Sequence, residues 1–557
     1  MSSFLTSLVS KRRSSGSSGP LYTTESTLKD PTFTQTKDVE SVSSDISDEH
    51  IFKDPKIADY YRRLYESTEY ECREKFDPDF TWTREEERKV IWKCDWRVTF
   101  WAYIMFTALD FDRSNIAQAL SDNMLDDLGL TTNDYNLGQT INKICFLVAE
   151  LPSQLISKKV GADRWIPMQV SIWSIVALSQ TFITNRSGFL ATRALLGLFQ
   201  GGFICDTCLW MSYFYKGSEI PLRLSLFYLA NPLTNIFSSL LGAGLLQIKS
   251  GPLPHGWQWV FLIEAVMTLI VGIASFFLMP ASAVDTKAWF RPNGWFTDRE
   301  EKIVVNRVLR DDPSKGDMNN RQPVGLKELF SSVLDYDLLP IYIIRFLMDI
   351  RATPVSNYLT LTLRQLGFNT FDTNLLAIPY NFLTVIQTIV CGWASERFKI
   401  RALTLAFTSA YIFSLLVPLR FWPGSQVQVW PTYAILTLLL GNCPAVITIS
   451  WCSWNSNSVR SRAVSAALVN MFAQAAFIVA SNIYRDDDKP LYHRGNLQLI
   501  IITIASFVAC ILAIFYYKWR NTQRDKVWNK LSKDEQDDYI ENTTDKGNKR
   551  LDFRFVY

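Results

Sequence analysis

The stretch 106–120 reads FTALDFDRSNIAQAL and places Asp110, Asp112 and Arg113 inside an apolar run that begins near Val98. A run of that length crosses a bilayer. A charge at mid-membrane costs about 3 kcal/mol or more, so it is rare and usually has a task there. Arg113 carries the planar fork that grips an anion. Asp112 is a carboxylate whose hold on a proton is set by burial and by the neighbouring arginine. Binding and proton exchange are therefore the chemistry on offer. The alternative is a structural ion pair that holds helices together.

Further charges lie in other apolar blocks. They are Lys143 and Glu150, Arg193 and Asp206, Glu264, and Arg345, Asp349 and Arg351. Arg345 and Asp349 are spaced i, i+4 and can neutralise each other. Glu150 precedes Pro152 and reads as a structural or gating partner, whereas Lys143 lies deeper and is a candidate ligand for substrate. Cys205 and Cys208 form a CxxC without a second ligand pair, so no metal site is expected. The chain has three His, and no nucleophile–base set or cofactor motif stands out, so no enzyme is expected.

These residues must be positioned by many helices. Hydrophobic residues make up 48% of the 557, and they fall in about twelve blocks of spanning length. The expected fold is an all-α integral membrane protein of twelve transmembrane helices. Spans are expected at 97–117, 135–157, 165–184, 188–211, 222–247, 258–280, 338–361, 371–394, 401–420, 430–451, 462–484 and 496–517. The rest divides into a Ser/Thr-rich disordered tail (1–50), an amphipathic segment (51–95), a polar linker (281–337) and a polar tail (518–557). The six-helix halves occupy 96–280 and 338–517. Net charge is +3, so a nucleic-acid partner has no electrostatic support. The nine Cys do not form a secreted disulfide framework. The apolar stretch before KRR is too short for a cleavable signal, so the first span is expected to direct insertion.

Lys158, Lys159, Arg164, Arg397, Lys399, Arg401, Arg460 and Arg462 cluster in alternate short loops, while Asp122, Asp126, Asp127 and Asp134 occupy the loop between the first two spans. The positive-inside rule then puts both termini in the cytosol. The sequon at Asn185 would be outside, but close enough to the membrane to stay unused.

An internal repeat supports two halves. Asp112-Arg113 in the first half is matched by Asp349-Ile-Arg351 in the second, and KKVGADRW by GWASERFKIR. TWTREEERKV is matched by FTDREEKIVV, each opening a helix with a capping box, Thr83 with Glu86 and Thr297 with Glu300. Two six-helix halves joined by a long loop are the plan of a secondary transporter of the major facilitator type, with the substrate site at mid-membrane between them.

From about Phe80 onward the chain resembles the fungal allantoate permease-type carriers, the anion:cation symporter family of that superfamily. The ordered set that carries the resemblance includes LDFDRSNIAQA, AELPSQLISKKVGADRWIP, TRALLGLFQGGF, GWQWVFLIEA, LLAIPYNFL, SWCSWNSNSVRSRAVSAAL, IYRDDDKPLYHRG and GNKRLDFRFVY. The QGGF…LWMSYFY form is nearest the cysteine and sulfonate branch. The resemblance implies transport of small organic anions, usually with protons. It assigns Asp112 and Arg113 to proton and substrate machinery, Arg193 to the fourth-helix arginine, and Asp163 and Arg164 to the signature loop. Relatives commonly carry an acid seven residues after that arginine, where this chain has Gln200. Either Asp112 couples alone or Asp206 substitutes.

The resulting expectation is proton-coupled import by alternating access. Arg113, with Lys143, Arg193, Arg345 or Arg351, would bind a carboxylate, sulfonate or sulfur amino acid. Protonation of Asp112 would release Arg113. Asp163, Arg164, Arg460 and Arg462 would gate the cytosolic side, or simply fix topology. The expected partners are the small organic anion, protons and the lipid bilayer, with no nucleic acid and no cofactor. The protein would work as a monomer in the plasma membrane, the endoplasmic reticulum and vacuole remaining open. A nutrient sensor of transporter-like build and an uncoupled facilitator are the rival readings.

Overall fold

The computed structural model describes residues 50–557, apart from 68–69, 218, 249–250, 317–335, 399–400, 426, 442–444, 457–458, 490 and 544–546. Residues 1–49 of the Ser/Thr-rich tail and 317–335 of the linker thus lie outside the described residues. Helices dominate. The first half contains α1 (Pro55–Ser67), α2 (Arg84–Cys94), α3 (Phe100–Leu120), α4 (Thr132–Val160), α5 (Ala162–Ser179), α6 (Arg186–Gln200), α7 (Phe203–Ser212), α8 (Ile220–Tyr228), α9 (Ala230–Leu245) and α10 (Gly256–Leu278). The linker holds α11 (Asp298–Asp311). The second half contains α12 (Leu339–Asn357), α13 (Leu359–Gln365), α14 (Thr370–Leu376), α15 (Ile378–Phe398), α16 (Arg401–Phe421), α17 (Val429–Leu440), α18 (Ala445–Ser456), α19 (Val459–Ala480) and α20 (His493–Trp528), and α21 (Lys533–Asn542) follows.

Among the described residues, six helical stretches are long and apolar enough to cross a membrane: Arg186–Ser212, Leu222–Leu245, Gly256–Leu278, Thr370–Ser395, Arg401–Phe421 and His493–Trp528. Other expected spans are helices as well. In α3, α4 and α12 the intramembrane charges lower the mean hydropathy.

Several boundaries differ from the sequence reading, and the expected fifth, seventh and eighth spans are interrupted at Leu229, Tyr358 and Ala377. The expected loop between the second and third spans shrinks to Gly161, whose φ of 97° suits glycine. Asp163 and Arg164 therefore sit in the first turn of α5 rather than in a loop. The expected fourth span is broken between α6 and α7 at Gly202, which has φ 86°. A Cβ there would stand 2.3 Å from the Ser153 Cβ, so glycine also lets this turn lie directly on α4. The last span continues as α20 for a total of 36 residues, well past the expected end.

The linker is less polar in its role than in its composition. Both capping boxes form, at Thr83 with Glu86 and at Thr297 with Glu300. Each capping glutamate then reaches the other helix. Glu86 meets Arg299 at 2.7 Å, and Glu300 meets Lys93 at 2.7 Å. Beneath these pairs, Ile303, Val304, Val305 and Leu309 of α11 share one apolar core with Phe52, Tyr65 and Val90. Arg307 is fully buried and pairs with Glu219 at 2.9 Å and Glu87 at 3.5 Å. The Arg299 bond, helped by the Thr83 N–H, lowers the Glu86 carboxyl from 4.5 to about 2. A lowered folded value stabilises docking above pH 4.5, and that contribution is lost as pH falls toward 2.

The C-terminal residues also fold back. The Trp451 indole N–H donates to the Val556 carbonyl at 2.7 Å, and Asn455 makes a pair of bonds to the same residue. Burial pushes the Asp337 carboxyl up, but Arg520, Tyr516 and Lys549 together hold it below the usual range.

Replacing Arg307 by Ala leaves Glu219 and Glu87 without their shared cation. The expected loss is on the order of 2–4 kcal/mol, toward the low side for a broken buried pair because both acids keep some water. A lowered thermal unfolding midpoint in detergent checks it, and an unchanged midpoint contradicts it.

Candidate functional site

A helix turns about 100° per residue, so residues three apart share a face and adjacent residues do not. In α3 this rule separates the charges. Arg113 points with Asp110, its Nη1 lying 3.8 Å from the Asp110 Oδ1. The other Asp110 oxygen accepts from Asn231 of α9 at 3.0 Å. Asp112 points into the first half instead, toward Trp173 of α5, Thr268 of α10 and Arg193 of α6. The expected direct hold of Asp112 on Arg113 is thus corrected: helix geometry gives that place to Asp110.

The Arg113 guanidinium lies over the Phe146 ring of α4, 5.1 Å from its centre. One turn earlier on α4, the Lys143 ammonium lies 5.2 Å from the centre of the Phe477 ring of α19. Lys143 therefore faces the second half. Among the described residues no carboxylate comes within ion-pair distance of it. Across the interface, Arg345 and Asp349 of α12 form the expected i, i+4 pair at 2.8 Å. The Tyr228 hydroxyl at the end of α8 is within electrostatic reach of both Arg113 and Arg345. The structure thus gathers Arg113, Lys143 and Arg345 at the interface of the halves, with Asp110 and Asp349 as counter-charges.

Other expected site residues lie elsewhere. Arg193 is only 3% exposed and donates to the Gln180 amide oxygen inside the first half. Arg351 is fully buried and donates to Ser409 at 2.7 Å and to Thr408 of α16, which makes it an internal tie of the second half. Asp206 accepts from Ser153 at 2.9 Å, in a polar web with Trp165 and Gln169. Arg164 is largely exposed, 3.9 Å from Asp163. Burial raises the Asp163 carboxyl, with Arg164 opposing. The side chains of Arg460 and Arg462 lie outside the described residues. Sequence reasoning did not assign roles to Asp110 or Asn231. The i, i+3 spacing of Asp110 to Arg113 was the available signal for the first, and nothing local marks the second.

Contacts between the halves concentrate at the end that carries the Asp122–Asp134 segment. Asn136 donates to the Tyr484 carbonyl at 2.7 Å and accepts from the Tyr358 hydroxyl. Thr360 donates to the Ala117 carbonyl at 2.6 Å, Asn374 to Ser121 at 3.0 Å, and Asn482 to Thr140 at 2.9 Å. Toward the opposite end, Asn470 of α19 donates to Glu150 of α4 at 3.0 Å.

Two charge-bearing helical halves with a polar interface match known proteins. The Major Facilitator Superfamily sequence model matches residues 102–481, more than half of the chain. The chain belongs to the major facilitator superfamily. A relative from Saccharomyces cerevisiae, described as uncharacterized transporter YIL166C, is 44% identical over 526 residues, covering 94% of this chain and 96% of that one. The MFS-type transporter efuF of Hormonema carpetanum is 28% identical, covering 76% and 84%. Among solved structures, a D-xylose–proton symporter superposes with a TM-score of 0.54 at 12% identity, covering 75% of this chain and 97% of that chain. A bacterial homologue of the human lysosomal transporter Spinster, crystallised inward-facing and occupied, gives 0.51 at 13%, covering 76% and 96%. Superfamily membership makes this chain a membrane transporter rather than an enzyme.

Within this superfamily fold, Arg351 and Arg113 are expected to fail differently. Arg351→Ala removes two buried interhelix bonds to a charged group and destabilises the protein by about 2–3 kcal/mol, seen as a lowered thermal midpoint. Arg113→Ala leaves the buried Asp110 with Asn231 alone, a cost that protonating the carboxyl relieves, so its loss is expected to shrink as pH falls while that of Arg351→Ala does not. The same pH dependence in melts of both purified variants would contradict this assignment.

Proposed function

We propose that the protein is a proton-coupled importer of a small organic anion, built of twelve spans with both termini in the cytosol. The observation that carries this reading is the charge at the interface. Arg113, Lys143 and Arg345 share the interface with Asp110, Asp349 and Glu150, and among the described residues Lys143 has no acid within ion-pair distance. An ammonium without an ion-pair partner, held away from bulk water, favours an anionic occupant. Phe146 and Phe477, over which two of the cations lie, supply an apolar lining that suits an organic rather than a mineral anion.

The proton's task follows from the geometry. Asp110 lies in reach of Arg113 and competes with the substrate for it. Protonating Asp110 removes that competitor, so a proton and an anion bind together. Asn231 remains to hold the neutral carboxyl in place. The halves then rock, and the lower proton concentration of the cytosol releases both ligands. Contacts clustered at the end read as outer correspond to a state closed to the outside. In this reading Arg113, Lys143 and Arg345 bind substrate, while Arg193 and Arg351 hold their own bundles. Membership of the allantoate permease-type branch, monomeric function and plasma-membrane residence belong to the same proposal.

Purified protein in proteoliposomes would be offered labelled carboxylates, sulfonates and sulfur amino acids, with and without an inward proton gradient. The expected result is accumulation of one anionic class that requires the gradient. Lys143→Gln should raise its apparent KM about 10- to 100-fold, equivalent to about 1.5–3 kcal/mol for a lost charge-assisted contact. Uptake of neutral compounds alone, or an unchanged KM in the variant, would overturn the proposal.

A further inference from the structure

The start of α3 and the end of α10 lie side by side: the Trp101 indole N–H of α3 donates to Ser275 in the last turn of α10 at 3.1 Å. Just past α10 the chain makes a tight turn. Ala288 and Arg291 exchange two backbone bonds, at 3.1 and 2.8 Å, and leave Trp289 and Phe290 at the tip. Trp289 is 88% exposed, and Phe290 meets the Phe277 ring of α10 edge-on, 5.6 Å between centres. Leading into α3, Trp92, Trp96 and Phe100 form an exposed ladder of rings, 6.0 and 5.3 Å apart. So many exposed rings at the ends of two apolar helices suit the boundary between hydrocarbon and water.

Two guanidiniums stand beside this turn. Arg97, in the π-helical turn that leads into α3, and Arg291, at the foot of the tight turn, lie over the same buried indole, Trp295, at 5.6 and 4.9 Å from its centre. Arg291 is fixed further by its Nε–H, which donates to the Thr286 carbonyl at 2.7 Å. The acids nearest in sequence are engaged elsewhere. Asp95 grips Arg223 at 2.7 and 3.1 Å, Asp285 accepts from Ser282 at 2.8 Å, and Asp298 is bonded to Lys75. Lys287, the other cation of the turn, is within electrostatic reach of Asp298. Burial, and then the charge of Arg97, push the Arg291 guanidinium down, as expected of two like charges that nothing neutralises.

Two planar forks over one ring, with exposed rings around them, match one class of ligand. A phosphodiester takes charge-assisted bonds from both guanidiniums, and the acyl chains it carries run on past the rings into hydrocarbon. A free inorganic anion would engage the arginines but leave the aromatic tip without a task. Loop cations that only set topology need no fixed geometry. We propose that Arg97 and Arg291 bind the phosphate of one anionic phospholipid, with Trp289 and Phe290 seated beside it in the membrane interface. An anionic lipid is favoured because two cations already outnumber one phosphate, and a choline ammonium would add a third. Trp295 belongs to the apolar core shared by α2 and α11, so the lipid ties that clasp to the bilayer surface. The site is separate from the interface of the halves and does not depend on what is transported.

Native mass spectrometry of the detergent-purified full chain tests the site, titrating phosphatidylglycerol or phosphatidylcholine of the same acyl chains. Wild type is expected to retain one phosphatidylglycerol about tenfold more tightly than phosphatidylcholine. Arg97→Gln and Arg291→Gln should each lower the affinity for phosphatidylglycerol about tenfold, while Trp289→Ser should weaken both lipids together. Lys526→Gln, which removes an exposed charge of α20, should leave both unchanged. Every variant is first required to elute as a single species with wild-type helical circular dichroism. Arg97 is exposed, so Arg97→Gln decides alone where Arg291→Gln does not fold. Equal retention of the two lipids, an unchanged affinity in Arg97→Gln, or an equal drop in Lys526→Gln would overturn the site. Displacement of the lipid by millimolar inorganic phosphate would mean a site for a free anion and would overturn the lipid assignment.

Discussion

The structure depends on the cost of a charge that has left water without a partner. Arg113, Arg345 and Arg351 are each answered by a second group, and the helix period decides which group that is. In the sequence DFDR of α3, Asp110 and Arg113 share one face and Asp112 turns to another. One short segment thereby serves two environments. One is the interface between the halves, where Arg113 and Lys143 stand over aromatic rings. The other is the packed interior against α5 and α10, where Asp112 points toward Trp173 and Thr268. Adjacent residues in sequence become distant in function.

The surrounding elements make this partition possible. Gly202 lets the turn between α6 and α7 lie on α4. Gly197 does the same one turn earlier, where a Cβ would meet the Asn142 carbonyl at 2.2 Å. That close crossing brings Arg193 of α6 toward Asp112 of α3 while α4 presents Lys143 to the second half. Outside the bundle, α2 and α11 clasp each other through reciprocal glutamate–cation pairs and the buried Arg307. The linker between the halves is thus fastened to the segment that precedes the first span. The C-terminal residues similarly tie α18 and α20 together through Val556 and Asn521.

What could be read from sequence alone follows from how local each signal is. Both capping boxes were legible because their partners are three residues apart, and both form. The Arg345–Asp349 pair was legible for the same reason. The all-helical major facilitator fold was legible in the apolar blocks and the repeat. The pairing within α3 was misread because sequence adjacency was taken for contact. The clasp of α11 on α2 was not legible at all, since Arg299 and Glu86 are more than two hundred residues apart. Arg351 looked like a ligand for substrate because its partners, Ser409 and Thr408, carry no charge to announce them. Asn231, which holds Asp110, is one of five polar residues in α9, with nothing local to single it out.

The central claim is that Asp110, not its neighbour Asp112, governs access to Arg113. The most direct test is the affinity for the transported substrate as a function of pH in Asp110→Asn and Asp112→Asn, measured by exchange across proteoliposomes with no gradient imposed. The account predicts that Asp110→Asn holds the affinity at its acid-side value at every pH, because Arg113 is then permanently free. It predicts that Asp112→Asn keeps the wild-type dependence of affinity on pH. The reverse pattern, with the dependence lost in Asp112→Asn and kept in Asp110→Asn, would contradict it.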